Sequence, residues 1–167
     1  MELYLLRHAL AAEAGPEWAG RDHARPLVPE GEKRMKRIAK GMGSLDLAFD
    51  LILTSPYVRA RQTAEIVAQA FNAGKKLKFS EHLTPDGDYA KLIQALRRQH
   101  TSSASVLLVG HEPYLSGLIS FLLSGEASLS ITMKKAGLCK LTIAKLRVGR
   151  CATLEWLLTP RQLEGLA

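Results

Sequence analysis

Three stretches of this chain place basic side chains and imidazoles at the ends of apolar runs: LYLLRHA at 3–9, LILTSPYVRARQT at 51–63 and SVLLVGHE at 105–112. The first ends in Arg7 and His8, the second leads through Ser55 to Arg59, and the third ends in His111. A guanidinium presents a planar fork of donors that matches phosphate oxygens, and a following helix N-terminus adds backbone N–H groups and positive potential. A neutral imidazole near its working pKa can attack phosphorus and form a phosphoenzyme that water then hydrolyses. One histidine beside one arginine is usually structural or superficial. Neither core packing nor solubility asks for imidazoles and guanidiniums at the ends of three separate buried strands. The five histidines (His8, His23, His82, His100 and His111) show no pair at metal-ligand spacing, and no carboxylate cluster accompanies them. Arginine and histidine, rather than a metal, are therefore expected to stabilise the transferring group, and no cofactor is expected.

The elements that must position these residues follow from the hydrophobic pattern. Continuous apolar runs suit strands covered on both faces. Strands are predicted at 2–6, 51–54 and 105–109, with weaker ones at 77–79, 138–143 and 153–158, the last two as a late antiparallel addition. Helices are predicted at 30–43, 56–72, 89–99 and 113–124, with a short one at 160–166. This alternation predicts an α/β three-layer sandwich, a mostly parallel central sheet with helices on both faces. Ligands in such sheets bind beyond the carboxyl ends of the strands, where all three stretches deliver their polar residues. In the helix at 56–72, Ser55 is read as the cap and Pro56 as the first helical residue, with Ala60, Ala64, Val67 and Phe71 as the apolar stripe. Arg61 then faces outward with Glu65 four residues on, and Arg59 faces the crevice. Residues 10–29 show no sustained period and are read as one long loop.

The chain has 167 residues, 47% of them hydrophobic, which suits a single domain over 1–167. Its 23 Lys and Arg exceed 16 Asp and Glu, a net charge of +7 that favours an anionic partner. Nucleic acid is disfavoured, because aromatics are only 6% of residues and do not interleave with basic ones. No apolar stretch is long enough to span a bilayer, and no export signal precedes the first strand, so no membrane and a cytoplasmic location are expected. Cys139 and Cys151 are read as reduced thiols.

LRHA at 6–9, SPYVRARQTAE at 55–65 and VGHEP at 109–113, in that order, resemble the histidine phosphatase superfamily, the relatives of phosphoglycerate mutase. Within it, the short chain and ARPLVPEGEKR at 24–34 resemble the SixA-type phosphohistidine phosphatases. The resemblance implies that His8 is the nucleophile, that Arg7 and Arg59 clamp the phosphoryl oxygens, and that His111 donates to the same group. Arg25 would be a further phosphate ligand, and Ser55 is placed with it on the substrate side. The family's signature glycine is here Ala9, a departure at a position where glycine permits close backbone approach.

A phosphoester needs a proton for its alkoxide leaving group, and a general acid contributes on the order of 10² to 10⁴ in rate. Glu81 is the candidate donor, beside Asp86, Asp88 and Glu112, and the sequence singles out none of them. Phosphohistidine is less demanding, because its leaving imidazole can be protonated by water. Too few residues separate the strands at 77–79 and 105–109 to build a cap domain, and an open site suits a phosphorylated protein. Protein phosphohistidine is the favoured substrate. A small-molecule phosphomonoesterase of the same fold is the alternative, and a non-catalytic phosphate- or nucleic-acid-binding module is the alternative of another class. The oligomeric state is open. Trp18 and Tyr89 are read as packing, Lys134 and Lys135 as solvated surface, and His23, His82 and His100 without a role.

Overall fold

The computed structural model describes residues 1–99 and 104–167. His100 lies outside them. Six strands form one sheet in the order β3-β2-β4-β1-β5-β6: β1 (Glu2–Arg7), β2 (Leu51–Thr54), β3 (Leu77–Phe79), β4 (Ser105–Gly110), β5 (Leu138–Ile143) and β6 (Ala152–Leu158). The first four run parallel, whereas β5 pairs antiparallel with β1 and β6 antiparallel with β5. The two antiparallel strands are those expected as a late addition.

The side-chain period of two in the strands divides the core into two layers. Leu3, Leu5, Leu51, Leu53, Val106 and Leu108 pack on one face with Leu92, Ile93 and Leu96 of α3 (Tyr89–Gln99) and Leu115, Leu118 and Ile119 of α4 (Tyr114–Ser124). Tyr4, Leu6, Ile52, Leu107 and Val109 pack on the other. There they meet Met35 and Ile38 of α1 (Pro29–Gly43), Ala60, Ala64 and Val67 of α2 (Val58–Ala70), and Leu163 of α5 (Pro160–Glu164). The result is the expected three-layer α/β sandwich. Between β3 and β4 the described chain holds one short turn, Glu81–Leu83, and α3, so no cap domain stands over the strand ends.

The second helix departs from the sequence reading. It begins at Val58, with Tyr57 as its cap residue and no side-chain capping bond. Ser55 lies two residues ahead of that cap position, and its hydroxyl accepts from the Tyr57 N–H at 3.3 Å before the helix begins and is shared with a histidine described below. The loop at 10–29 is more ordered than its composition suggests. It contains helical turns at Pro16–Trp18 and Asp22–Ala24, and an Ala11–Leu27 bridge draws its two ends together. Leu10 is also pressed against α1, where a Cβ on Gly31 would lie 2.1 Å from the Leu10 carbonyl oxygen. Only glycine allows that approach.

Candidate active site

Parallel register brings the three strand ends together. Arg7 pairs with Gly110 and Thr54 with Val109, and one residue further on the pairing continues. The His8 N–H donates to the Gly110 carbonyl at 3.0 Å, and the Ser55 N–H donates to the Val109 carbonyl at 3.0 Å. His8, Ser55 and His111 therefore leave the sheet side by side.

His8 is 6% exposed, and its Nδ1 lies 2.8 Å from the Ala9 carbonyl oxygen. A carbonyl only accepts, so Nδ1 carries the proton and Nε2 presents a lone pair. The ring stands 5.3 Å from the ring of His111, centroid to centroid. His111 Nε2 is 2.8 Å from Ser55 Oγ. When the Ser55 hydroxyl donates to Nε2, His111 carries its own proton on Nδ1, a buried atom with no partner in the protein. Ala9 is buried and does not adopt positive φ. Its methyl is accommodated, and the site's backbone does not require glycine there.

Among the described residues, four buried side-chain polar atoms lack a hydrogen-bond partner: Arg7 Nε, Arg59 Nε, His111 Nδ1 and Tyr114 Oη. A buried donor left unpaired costs about 1–3 kcal/mol. Three of the four belong to the predicted site, which is what a pocket shaped for a multiply charged oxyanion requires. Other donors of the two arginines are anchored. Arg7 Nη1 donates to the Met133 carbonyl at 2.8 Å, and Arg59 Nη1 and Nη2 donate to the Asp22 carbonyl and carboxylate at 2.8 and 3.0 Å.

Burial, reinforced by the charges of Arg59, Arg7 and Lys135, pushes the His8 pKa down to about 3, against the contrary pull of its bond to Ala9. Burial, with Arg59 and His8, likewise holds His111 down to about 3. Both imidazoles are neutral at pH 7. Burial also lowers the pKa of Arg7 and of Arg59, opposed by Glu112 and Asp22 respectively. A neutral imidazole with an unengaged lone pair, set among guanidiniums with unspent donors, can attack an electrophile carried on an anion.

Arg25 approaches from the loop. Its Nε donates to Asp22 Oδ1 at 2.7 Å and its Nη1 to the Ala12 carbonyl at 2.6 Å, and its charge reaches both Arg59 and His111. Arg61 pairs with Glu65 at 3.6 Å on the exposed side of α2, as expected, whereas Arg59 is 3% exposed and turned inward. Glu81 is exposed beyond edge strand β3, and neither it nor Asp86 or Asp88 is hydrogen-bonded or ion-paired to the four central residues. Glu112 caps α4, its Oε1 accepting from the Ser116 N–H at 2.9 Å. Tyr89 packs against Tyr114 and Phe121, and Trp18 lies under Arg21. Lys134 and Lys135 are exposed, but they stand at the site rather than on remote surface, on the turn whose Ala136 N–H bonds to the Arg7 and His8 carbonyls.

Sequence reasoning overlooked three contributors. Asp22 bridges Arg25 and Arg59, and only the turn at Asp22–Ala24 aims it there. Thr63 is buried on α2, its Oγ1 accepting from the Ala9 N–H at 3.0 Å and donating to the Arg59 carbonyl at 2.7 Å. Its place four residues after Arg59 was the available signal. Tyr57 lays its ring 5.1 Å from that of His111 and beneath the Arg59 guanidinium at 5.2 Å.

The model of the histidine phosphatase superfamily (branch 1) matches residues 3–84, the segment that holds Arg7, His8, Arg25, Ser55 and Arg59. An uncharacterized protein of Picosynechococcus is 38% identical over 149 residues, 89% of this chain and 88% of that protein. The phosphohistidine phosphatase SixA of Escherichia coli is 30% identical over 148 residues, 82% of this chain and 88% of SixA. In three dimensions, the protein histidine phosphatase SixA complexed with tungstate superposes with a TM-score of 0.82 at 24% identity, covering 98% of this chain and 99% of that one. The chain belongs to the histidine phosphatase superfamily and is SixA-like in sequence and fold.

Proposed function

We propose that this protein is a phosphatase that removes the phosphoryl group from protein phosphohistidine through a covalent phosphohistidine intermediate on His8. The observation that carries this reading is the tautomer of His8: its Nδ1 proton is held by Ala9, and its buried, neutral ring offers Nε2 beside three unspent donors. Arg7 and Arg59 bind the phosphoryl oxygens, His111 donates from Nδ1, and Arg25 steadies the Asp22–Arg59 pair with one nitrogen left for substrate. Nε2 attacks phosphorus as the bond to the substrate's ring nitrogen breaks, and that nitrogen takes a proton from solvent. Water then attacks the phosphoenzyme, releasing phosphate and regenerating His8. Stabilising the charge on the equatorial oxygens is the main contribution asked of the protein.

The placement of the acidic residues bears on the substrate. Glu112 gives Oε1 to the first turn of α4, Asp22 is held by Arg25 and Arg59, and Glu81, Asp86 and Asp88 have no bond to the central residues, so among the described residues none of these carboxyl groups is hydrogen-bonded in place to protonate an alkoxide. An N-phosphoryl substrate does not need one. The open crevice and the similarity to SixA point the same way, and they support a phosphorylated protein as partner in the cytoplasm. Among the described residues, no helix is long and apolar enough to cross a membrane.

Side-by-side kinetics test this reading. A histidine-phosphorylated protein should be hydrolysed with kcat/KM at least about 10²-fold above that for small phosphomonoesters, the factor a missing general acid withholds from the latter. Equal or greater activity on the phosphomonoesters would transfer the assignment to the small-molecule alternative.

A further inference from the structure

Beside the phosphoryl site lies a second cavity of about 320 Å³. Arg7 and Ala9 form its inner wall, and Met35, Ile38 and Pro160 form its apolar floor. Leu10, Lys134 and Lys135 stand at its mouth. It adjoins the site, since the two chain neighbours of His8, Arg7 and Ala9, are among its lining residues.

Two features of the mouth are unspent. Leu10 is a large apolar side chain left 40% exposed. Lys134 and Lys135 are exposed and take part in none of the ion pairs among the described residues. The remaining cation on the rim, Arg34, is already held by Glu164 through two nitrogens at 2.8 to 3.0 Å. The fold fixes the lysines here: the Ala136 N–H bonds to the Arg7 and His8 carbonyls, and the Met133 carbonyl receives Arg7 Nη1. An apolar recess with two free ammonium groups on its rim complements a peptide bearing an apolar residue next to a carboxylate.

Resting on the function proposed above, we infer that this cavity is the docking subsite for the substrate's polypeptide, taking an apolar side chain with Lys134 and Lys135 meeting an adjacent acidic residue. One residue of extended chain spans about 3.3–3.6 Å. With the phosphoryl group drawn down to Arg7 and His8, the cavity wall at Ala9 is within reach of the substrate's first or second residue beside its phosphohistidine. The subsite thus sorts phosphoproteins by sequence and contributes nothing to a substrate without a chain.

The test uses two histidine-phosphorylated peptides that differ only beside the phosphohistidine, Leu-Asp in one and Ser-Lys in the other, with phosphoramidate as the chain-free control. The Leu-Asp peptide should have kcat/KM about tenfold or more higher, as expected for filling against leaving empty a hydrophobic pocket. Leu10→Ser and Lys134→Gln should each cut that preference severalfold, and Leu10→Ser, which changes no charge on an exposed residue, should leave phosphoramidate hydrolysis at the parent rate. Equal kcat/KM for the two peptides, or a preference unchanged in both variants, overturns the subsite while phosphoramidate turnover upholds the phosphatase reading. Absence of turnover on all three substrates overturns both.

Discussion

Arg59 and Arg61 are two residues apart on one helix, yet one is buried against Asp22 and the other pairs with Glu65 in solvent. Replacing Arg59 with Ala should lower kcat/KM for a phosphohistidine substrate by about 10² to 10³, the loss typical of one oxyanion-stabilising donor. Arg61→Ala should stay within about twofold of the parent, because an exposed ion pair is worth little. Equal losses in steady-state kinetics would refute the inward placement of Arg59. Asp22 touches two arginines rather than substrate, so it is a positioning residue. Burial opposes ionisation of its carboxyl, but the bond from Arg25 and the charge of Arg59 hold its pKa below the usual value. Asp22→Ala frees the Arg59 fork and should lower kcat/KM about tenfold, with Asp22→Asn recovering part of the loss through its remaining oxygen. A parent-like Asp22→Ala enzyme would show that Arg59 needs no such support.

At the level of elements, α2 is tied to the end of β1 by Thr63, which accepts from Ala9 and donates to the Arg59 carbonyl. Thr63→Val keeps the shape but leaves the buried Ala9 N–H unpaired, and it should cost about 1–3 kcal/mol in urea unfolding. A loss below about 0.5 kcal/mol would mean the backbone relaxes to another acceptor. Strands β1, β2 and β4 were the most legible because each is a short apolar run whose two faces are both covered, and that is a local signal. The start of α2 was less legible. A Ser-Pro pair reads as cap and first turn, but here the serine hydroxyl serves His111, a residue contributed by a different strand. The same limit hid Asp22, whose role depends on how a loop without periodicity folds back over a helix. His8, Arg7, Arg59 and His111 could be grouped from sequence because strand ends of one parallel sheet share an edge. The bond partners that orient them arise only in the assembled fold.

For the whole molecule, burying two neutral imidazoles makes stability depend on pH. Each is held down to about 3 in the folded state, mainly by burial, whereas an unfolded histidine titrates near 6.5. Below that value the unfolded chain binds protons that the folded chain does not, so stability falls as pH falls from about 6.5 toward 3. Each group contributes up to about 1.4 kcal/mol per pH unit over that window. Urea midpoints should drop between pH 7 and 5, and the slope should flatten in a His8→Asn/His111→Asn variant. An identical slope in that variant would place the acid sensitivity elsewhere. The larger consequence of the proposed function is chemical: on that reading three strand ends present one nucleophilic nitrogen to one phosphoryl group. Rapid-quench labelling with a ³²P-phosphorylated protein histidine tests this most directly. Acid-labile, base-stable label should appear on His8 of the parent and be absent from His8→Ala; label persisting in that variant, or found on another residue of the parent, would contradict the account.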